Sequence, residues 1–562
     1  MVKKFIEQSV KNGSNILFQK QSSIISGALI IAIMLLASAI LGLIKKRLYA
    51  SVITPGPELD IFFAAFRWPD LTFQLIVGGA LNAAFIPVFA HLIGTRSKNG
   101  SWQFVSTVLN CTIVAFTLIS ILFLIFMDQL AIIIGVGFSE SELMLLKELM
   151  RILLISPIIL GVSSFIAGTL QSFQRFLLPF LSPVVYNLGS ILGVIFLYPI
   201  WGIKGIAWGV VIGSVAHLLV QIPLLFHLQF KYSLKSNLKD PAFQKMLKLS
   251  FFRTIGAGVE QIKSVVLISL ASILPRGGIS VFDLGLSITS IPVSIIGVSI
   301  SQASLPEFSS LVAKGDMVNL RRTFISSLNQ ITFFLLPISV VLIVLKIPVV
   351  RLIYGAGNFT WEDTVVTSWV VATLAIGLIF QALNNLIVRL FYSLHETKLP
   401  VFVSIISIII TILISYFFTN RSELISIRIM SLAISIGAGI EFILLIILLQ
   451  SKNIIKIKEM LVTPIKIVIA SIITAIVIYI PVKLLDQIFI DTTRVVNLLI
   501  LVWLVLSFGV TTYLIITWLL GVSELKIIFK ILFKMKILRE KVERSFRIPE
   551  LMTNPITEEE AK

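Results

Sequence analysis

The chain has 562 residues, 57% of them apolar and only 13% charged, against roughly 45–50% and 25% in an average soluble protein. That balance excludes a water-soluble enzyme, a secreted disulfide scaffold and a disordered protein, and leaves a polytopic membrane protein. One cysteine, Cys111, and four scattered histidines (His91, His217, His227, His395) leave no disulfide framework, thiolate metal site or His-rich site, so no metal and no cofactor is called for. The net charge of +18 from 46 Lys and Arg sits in short loops and at the tail. That is the positive-inside pattern, with an anionic lipid leaflet as partner and not nucleic acid.

In chain order, residues 1–23 read as a polar, cytoplasmic amphipathic lead-in, too long before the first apolar run for a cleaved signal peptide. A spanning helix needs about 20 mostly apolar residues, and the runs are far too long for barrel strands. Fourteen runs meet that length: 24–44, 60–92, 103–127, 144–170, 178–200, 203–228, 247–273, 279–304, 323–348, 364–390, 398–418, 424–450, 462–485 and 495–520. The second is overlong and holds Pro69, Gly78, Gly79 and Pro87, as interrupted helices that line cavities do. With the N-terminus inside, the basic segments Lys231 to Lys248, Lys452 to Lys466 and Lys526 to Arg547 are cytoplasmic, and the acidic loop of Asp128, Glu140 and Glu142 lies outside. An even number of spans returns the C-terminus to the cytoplasm.

Two segments recur. Asn82 to Leu92 (NAAFIPVFAHL) resembles Ser301 to Leu311 (SQASLPEFSSL), and Ser172 to Pro179 resembles Ser393 to Pro400, both at an offset of about 220 residues. The implied unit is six spans, and an even unit keeps both copies in one orientation, a parallel repeat. The expected fold is therefore all-α, with an N-lobe at 24–228, a basic linker at 229–246 and a C-lobe at 247–450. Spans 13 and 14 (462–520) stand outside the repeat, and a basic tail follows at 521–562. Two six-helix bundles around a central cavity suit alternating access. No channel filter, nucleotide-binding loop or hydrolase elbow supports another class; a non-transporting scaffold is the bland alternative.

Ionisable groups at bilayer depth are expensive and mark sites. Lys45, Lys46 and Arg47 follow span 1, either as snorkelling residues or as a cluster turned into the cavity toward an anionic substrate. Asp60 opens span 2, as a helix cap, alone or combined with pairing to that cluster. Arg67, two turns on, shares its face. Lys263 in span 7 and Glu441 in span 12 are isolated in apolar runs, with Glu260 a local partner for Lys263. The alternation of apolar and basic residues from Lys526 to Lys536 reads as an interfacial helix that anchors the tail.

The run Leu59-Asp60-Ile-Phe-Phe-Ala-Ala-Phe-Arg67-Trp-Pro69, continuing from Gly79 through Pro87, resembles the N-terminal signature of the MurJ (MviN) family of lipid II flippases. That family lies within the superfamily of multidrug, oligosaccharidyl-lipid and polysaccharide exporters. Arg351 to Thr360 (RLIYGAGNFT), Arg389 to Pro400 (RLFYSLHETKLP) and Ser182 to Leu188 (SPVVYNL) resemble further signatures. The resemblance implies a flippase for an undecaprenyl-diphosphate-linked peptidoglycan precursor in a bacterial inner membrane. It implies a cationic cavity for the headgroup and a groove beside spans 13 and 14 for the tail. By position, Asp60 matches the family's acidic residue in span 2, Gly42 its span 1 glycine, and Lys45 a usual arginine. Ala39, Lys46, Phe73-Gln74 and Leu286-Ser287 depart from its charged positions, leaving Lys45, Lys46, Arg47, Arg67 and Lys263 as substitutes, with Asp60, Gly42 and Glu441 in coupling or gating. Export of another polyprenyl-linked glycan, such as an O-antigen or capsule unit, is the transport alternative. The expected partners are the lipid-linked glycan, membrane lipids and cell-wall synthesis proteins around a monomer. The driving force stays open between a membrane potential and an ion gradient.

Overall fold

The computed structural model describes residues 24–78, 84–274, 277–418, 423–484 and 495–526. The expected lead-in at 1–23 and the basic tail beyond Lys526 lie outside them. Among the described residues there is no strand.

The first half comprises α1 (Ile24–Val52), α2 (Pro57–Ala65), α3 (Arg67–Phe73), α4 (Ile86–Thr95), α5 (Lys98–Ile125), α6 (Met127–Ile134), α7 (Glu140–Leu153), α8 (Ile155–Ser172), α9 (Leu177–Leu192), α10 (Ile203–Leu219) and α11 (Ile222–His227). The second comprises α12 (Pro241–Ser272), α13 (Gly278–Pro292), α14 (Ser299–Ala313), α15 (Met317–Val344), α16 (Lys346–Tyr354), α17 (Trp361–Ser393), α18 (Lys398–Phe418) and α19 (Glu423–Ser451). Two helices follow, α20 (Ile457–Leu484) and α21 (Val495–Leu519).

Among the described residues eleven helices are long and apolar enough to cross a membrane, fewer than the fourteen runs expected. The second run is divided: α2 and α3 meet at Phe66, a π-helical turn follows at Gln74–Gly78, and α4 resumes at Ile86. Pro57, Pro69 and Pro87 each fall in the first turn of one of these pieces, where a missing N–H leaves no bond unmade. The seventh run lies in α12, whose Lys245, Lys248, Glu260 and Lys263 reduce its apolar character.

The repeat is visible in the packing. In the first half α9 packs on α10 and α1, and α8 packs on α5, α10 and α4. In the second half α18 packs on α19 and α12, and α17 packs on α15, α19 and α14. Corresponding helices thus take corresponding partners. The π-helical turn at Gln74–Gly78 also recurs at Val293–Val298, at the repeat's own offset. Such turns insert one residue into the helical ladder and re-aim the chain at functional positions.

Within the first half, α9 and α10 approach to backbone contact. A Cβ placed on Gly189 would meet Gly213, and one on Gly193 would meet Gly209, both within 2.6 Å. Without a hydrophobic force between helices in lipid, close backbone packing through small residues supplies the association. The appended pair, α20 and α21, packs on α15 and α16 respectively. There the Tyr513 hydroxyl donates to the Phe333 carbonyl at 2.7 Å.

Candidate functional site: the junction of the two halves

The two halves interlock at the end of the bundle that carries residues 51–57, 135–139, 272–274, 277–278 and 354–360. The Asn358 N–H donates to the Ser51 carbonyl at 2.9 Å, and the Thr54 hydroxyl donates to the Asn358 carbonyl at 3.0 Å. Gly357 has φ +59, and any Cβ there would lie 2.5 Å from the Ser51 oxygen. Only glycine fits that left-handed, crowded position. This gives a structural reason for the Tyr354-Gly-Ala-Gly357 motif noted in the sequence.

Asp60, 4% exposed, does not cap its own helix, nor does it pair with the Lys45–Arg47 cluster. It crosses to the other half. Its carboxylate accepts the N–H groups of Gly277 and Ser280, each at 2.7 Å, and the Ser280 hydroxyl. These are N-terminal donors of α13, and a carboxylate there satisfies otherwise orphaned groups and the helix dipole together. Gly277 at φ +93 forms that N-terminus.

One turn along α13, Asp283 gathers two cations from the first half. Lys46 forms an ion pair with one carboxylate oxygen, and Arg67 Nη2 meets the other at 2.7 Å. Arg67 Nη1 also reaches the Ser264 hydroxyl at 3.4 Å, while its Nε is buried without a hydrogen-bond partner. Asp60 and Arg67, expected on one face, do face one element. Asp70, solvent-accessible though enclosed by protein, lies within electrostatic reach of Lys45, Lys46, Arg67 and Asp283.

The cluster after span 1 splits. Lys45 sits over the Tyr186 ring at 5.2 Å, and Lys46 lies over Phe63 as well as against Asp283. Arg47 turns from the expected cavity: its Nη1 donates to the Leu352 and Ile353 carbonyls at 2.7 and 3.3 Å. It thereby caps the C-terminal end of α16, where cations belong. Gly42 faces Asn187, whose amide also bonds Ser38. None of these four residues lines the cavity described next.

That cavity, of about 560 Å3, lies among α12, α13, α17, α18 and α19, and among the described residues Arg67 is what the first half contributes to its wall. It runs from Arg67 and Phe282 toward Tyr392 and Pro400, at the end opposite the interlock. Among the described residues its charged lining is Arg67, Lys263, Glu260 and Glu441, two of each sign and so not the cationic surface expected. Lys263 pairs with Glu260 at 2.6 Å, and the Ser404 hydroxyl donates to Glu441 at 2.5 Å.

At that opposite end Arg96 holds Asp240 through two bonds, 2.6 and 2.8 Å. Asp240 also accepts the Ala242 N–H and caps α12. The guanidinium holds this carboxyl below its usual range. The basic linker is further tied to α5 where Asn110 donates to the Ser233 carbonyl at 3.0 Å.

Sequence reasoning missed Asp283, the hub of the junction. The signal was present: it is the acidic residue of an otherwise uncharged apolar run, the criterion that singled out Glu441. Asp70 was likewise passed over, three residues from Arg67.

The sequence model of the family described as "Lipid II flippase MurJ" matches residues 49–500. A relative from Buchnera aphidicola subsp. Schizaphis graminum, "Probable lipid II flippase MurJ", is 29% identical over 78% of this chain and 85% of its own length. One of the same description from Rickettsia prowazekii is 27% identical over 73% and 80%. The solved structure "Lipid II flippase MurJ, inward closed conformation" matches with TM-score 0.72 and 26% identity, covering 87% of this chain and 98% of that one. An inward-facing multidrug resistance MATE family transporter matches with TM-score 0.63, 16% identity and coverage of 74% and 94%, and so shares the fold alone. The chain belongs to the lipid II flippase MurJ family.

Proposed function

We propose that this chain flips lipid II from the cytoplasmic to the outer leaflet of a bacterial inner membrane, with both termini cytoplasmic and the interlocked end outward. The observation that carries this reading is the cavity that begins at the charged junction and leads away from the interlock toward Tyr392 and Pro400. The interlocked end is the one with Asp128, Glu140 and Glu142 nearby, and the opposite end carries the basic linker, which agrees with the positive-inside rule.

The substrate's diphosphate is a concentrated anion, and Arg67 presents an unpartnered Nε beside its bond to Asp283. A phosphate entering the cavity competes with Asp283 for Arg67, the one of its two cations that lines the cavity wall among the described residues. Charge-assisted bonds to phosphate are strong in a water-poor site. Binding therefore loosens the junction on which the outward interlock depends, and this differential affinity is what any ligand-driven conformational change requires. In this reading Asp60 and Asp283 act on gating, and the polyprenyl tail lies along α20 and α21.

The test is growth of a flippase-depleted bacterium that carries this chain. Rescue, with lipid II newly accessible to an external probe, is the expected result. Failure to rescue despite normal membrane levels, together with rescue of an O-antigen or capsule flippase mutant, would favour the alternative glycan.

A further inference from the structure

A second set of cations stands apart from the junction. Lys346 opens α16, Trp369 lies in α17 and Arg428 in α19, and the three converge. The Arg428 guanidinium carbon is 3.8 Å from the Trp369 ring centroid, and Lys346 Nζ sits over the same ring. Neither cation has a carboxylate within ion-pair distance among the described residues. Arg428 Nε is buried without a hydrogen-bond partner. One indole face attracts a cation, but two cations sharing one ring also repel each other, and nothing in the described protein offsets that.

We propose that Lys346, Arg428 and Trp369 form a binding site for the phosphate of an anionic membrane lipid. The fork of a guanidinium matches phosphate geometry, and Lys346 adds a point charge beside it. The site is outside the transport cavity, since none of the three lines it. It lies toward the interlocked end, within about three turns of the start of α17 and about two of that of α19. The residues flanking Lys346 explain why the anion is a lipid. Leu345 and Val349 pack with Leu501 and Val505 of α21 and Ile478 of α20. Beside them Leu499 and Trp503 are exposed on the apolar surface of α21. An acyl chain has a surface to follow there; a free phosphate gains nothing from it. The consequence is that a lipid head pins the appended pair to α16 and α17.

The test uses the full-length protein in mild detergent, with phosphatidylglycerol added and bound lipid counted by native mass spectrometry. Wild type should retain a phosphatidylglycerol that a Lys346→Gln, Arg428→Gln double variant binds at least about tenfold more weakly. Arg428→Lys, which keeps the charge and loses the fork, should fall between them. Lys204→Gln, at a lysine paired with Glu148 elsewhere on the surface, should match wild type. Phosphatidylcholine and inorganic phosphate should each fail to displace the lipid at equal concentration. Equal occupancy in wild type and a double variant of unchanged melting temperature would overturn the proposal, as would displacement by inorganic phosphate alone.

Discussion

Replacing Asp283 by Asn tests the junction most directly. The change keeps the shape and one acceptor oxygen but leaves Lys46 and Arg67 without their shared counter-ion. Removing one partner of a fully buried pair costs about 3–5 kcal/mol, because the remaining charge stays desolvated. Here the side chains of Lys46, Arg67 and Asp283 are 22%, 15% and 11% exposed, and Asn still accepts a hydrogen bond. The working figure is therefore reduced to about 2–3 kcal/mol, which shifts the interlocked-to-open ratio by about 30- to 150-fold. The assay is labelling of Ser51→Cys, in a Cys111→Ser background, by a membrane-impermeant maleimide, since Ser51 packs against Gly357 within the interlock. Labelling from the outside should accelerate by tens of fold in Asp283→Asn. Adding Lys46→Gln should recover part of the effect by removing an uncompensated cation, so the two changes will not be additive. An unchanged labelling rate in Asp283→Asn would refute the claim that this ion cluster holds the halves together.

Asp60→Asn should weaken the same interlock, because its amide NH2 must face a donor N–H at Gly277 or Ser280. The loss of charge-assisted bonds amounts to about 2–3 kcal/mol, and a depletion strain carrying it should fail to grow while immunoblots show normal membrane levels. Gly209→Val forces a side chain against Gly193 and should lower the melting temperature of the detergent-solubilised protein, an overpacking cost of about 1–3 kcal/mol, while Gly94→Val, in open space, should not. Asp240 has its carboxyl depressed by Arg96, so its contribution is complete above the ordinary carboxylate value near 4 and is lost as the pH falls through the depressed one. Hydrogen exchange across residues 229–242 should accordingly rise at neutral pH in Asp240→Asn and, in wild type, only in strong acid.

The architecture was legible because its signals are periodic and redundant. Each apolar run is long enough to exclude a strand, and the recurrence of Asn82–Leu92 at Ser301–Leu311 anticipated a packing pattern that recurs with its π-helical turn. The division of the second span was only half legible. Pro69 and Pro87 announced an interruption, but which side of each proline the helix breaks depends on tertiary contacts. The junction was harder. Asp60 was read locally, as a cap for the helix it sits in, alone or combined with pairing to the nearby Lys45–Arg47 cluster, whereas its partners are about 220 residues away. Arg47 looked equivalent to Lys46 in sequence, yet a helix turns successive side chains by about 100°. One therefore reaches Asp283 and the other the end of α16.

The chemistry of the junction also explains why charges are used there at all. Replacing a buried ion cluster by apolar residues of similar volume is often neutral or stabilising, so rigidity alone gives no reason to keep Lys46, Arg67 and Asp283 together. An apolar contact, however, has the same affinity for itself whether or not a phosphate is nearby, and such a ligand shifts nothing. A carboxylate that holds cations by the bonds a diphosphate would also make gives the two states different affinities for that anion. In the proposed cycle the interlock is strongest when the cavity is empty and weakest when a phosphate is present. The Asp60 contact, one turn from Asp283 toward the start of α13, involves none of the described residues of the cavity wall and so is not subject to that competition. In that proposed cycle it sets how far the halves recover once the anion has gone. Neutralising Asp283 should thus uncouple opening from the substrate, whereas neutralising Asp60 should slow closure without changing how strongly the anion is held.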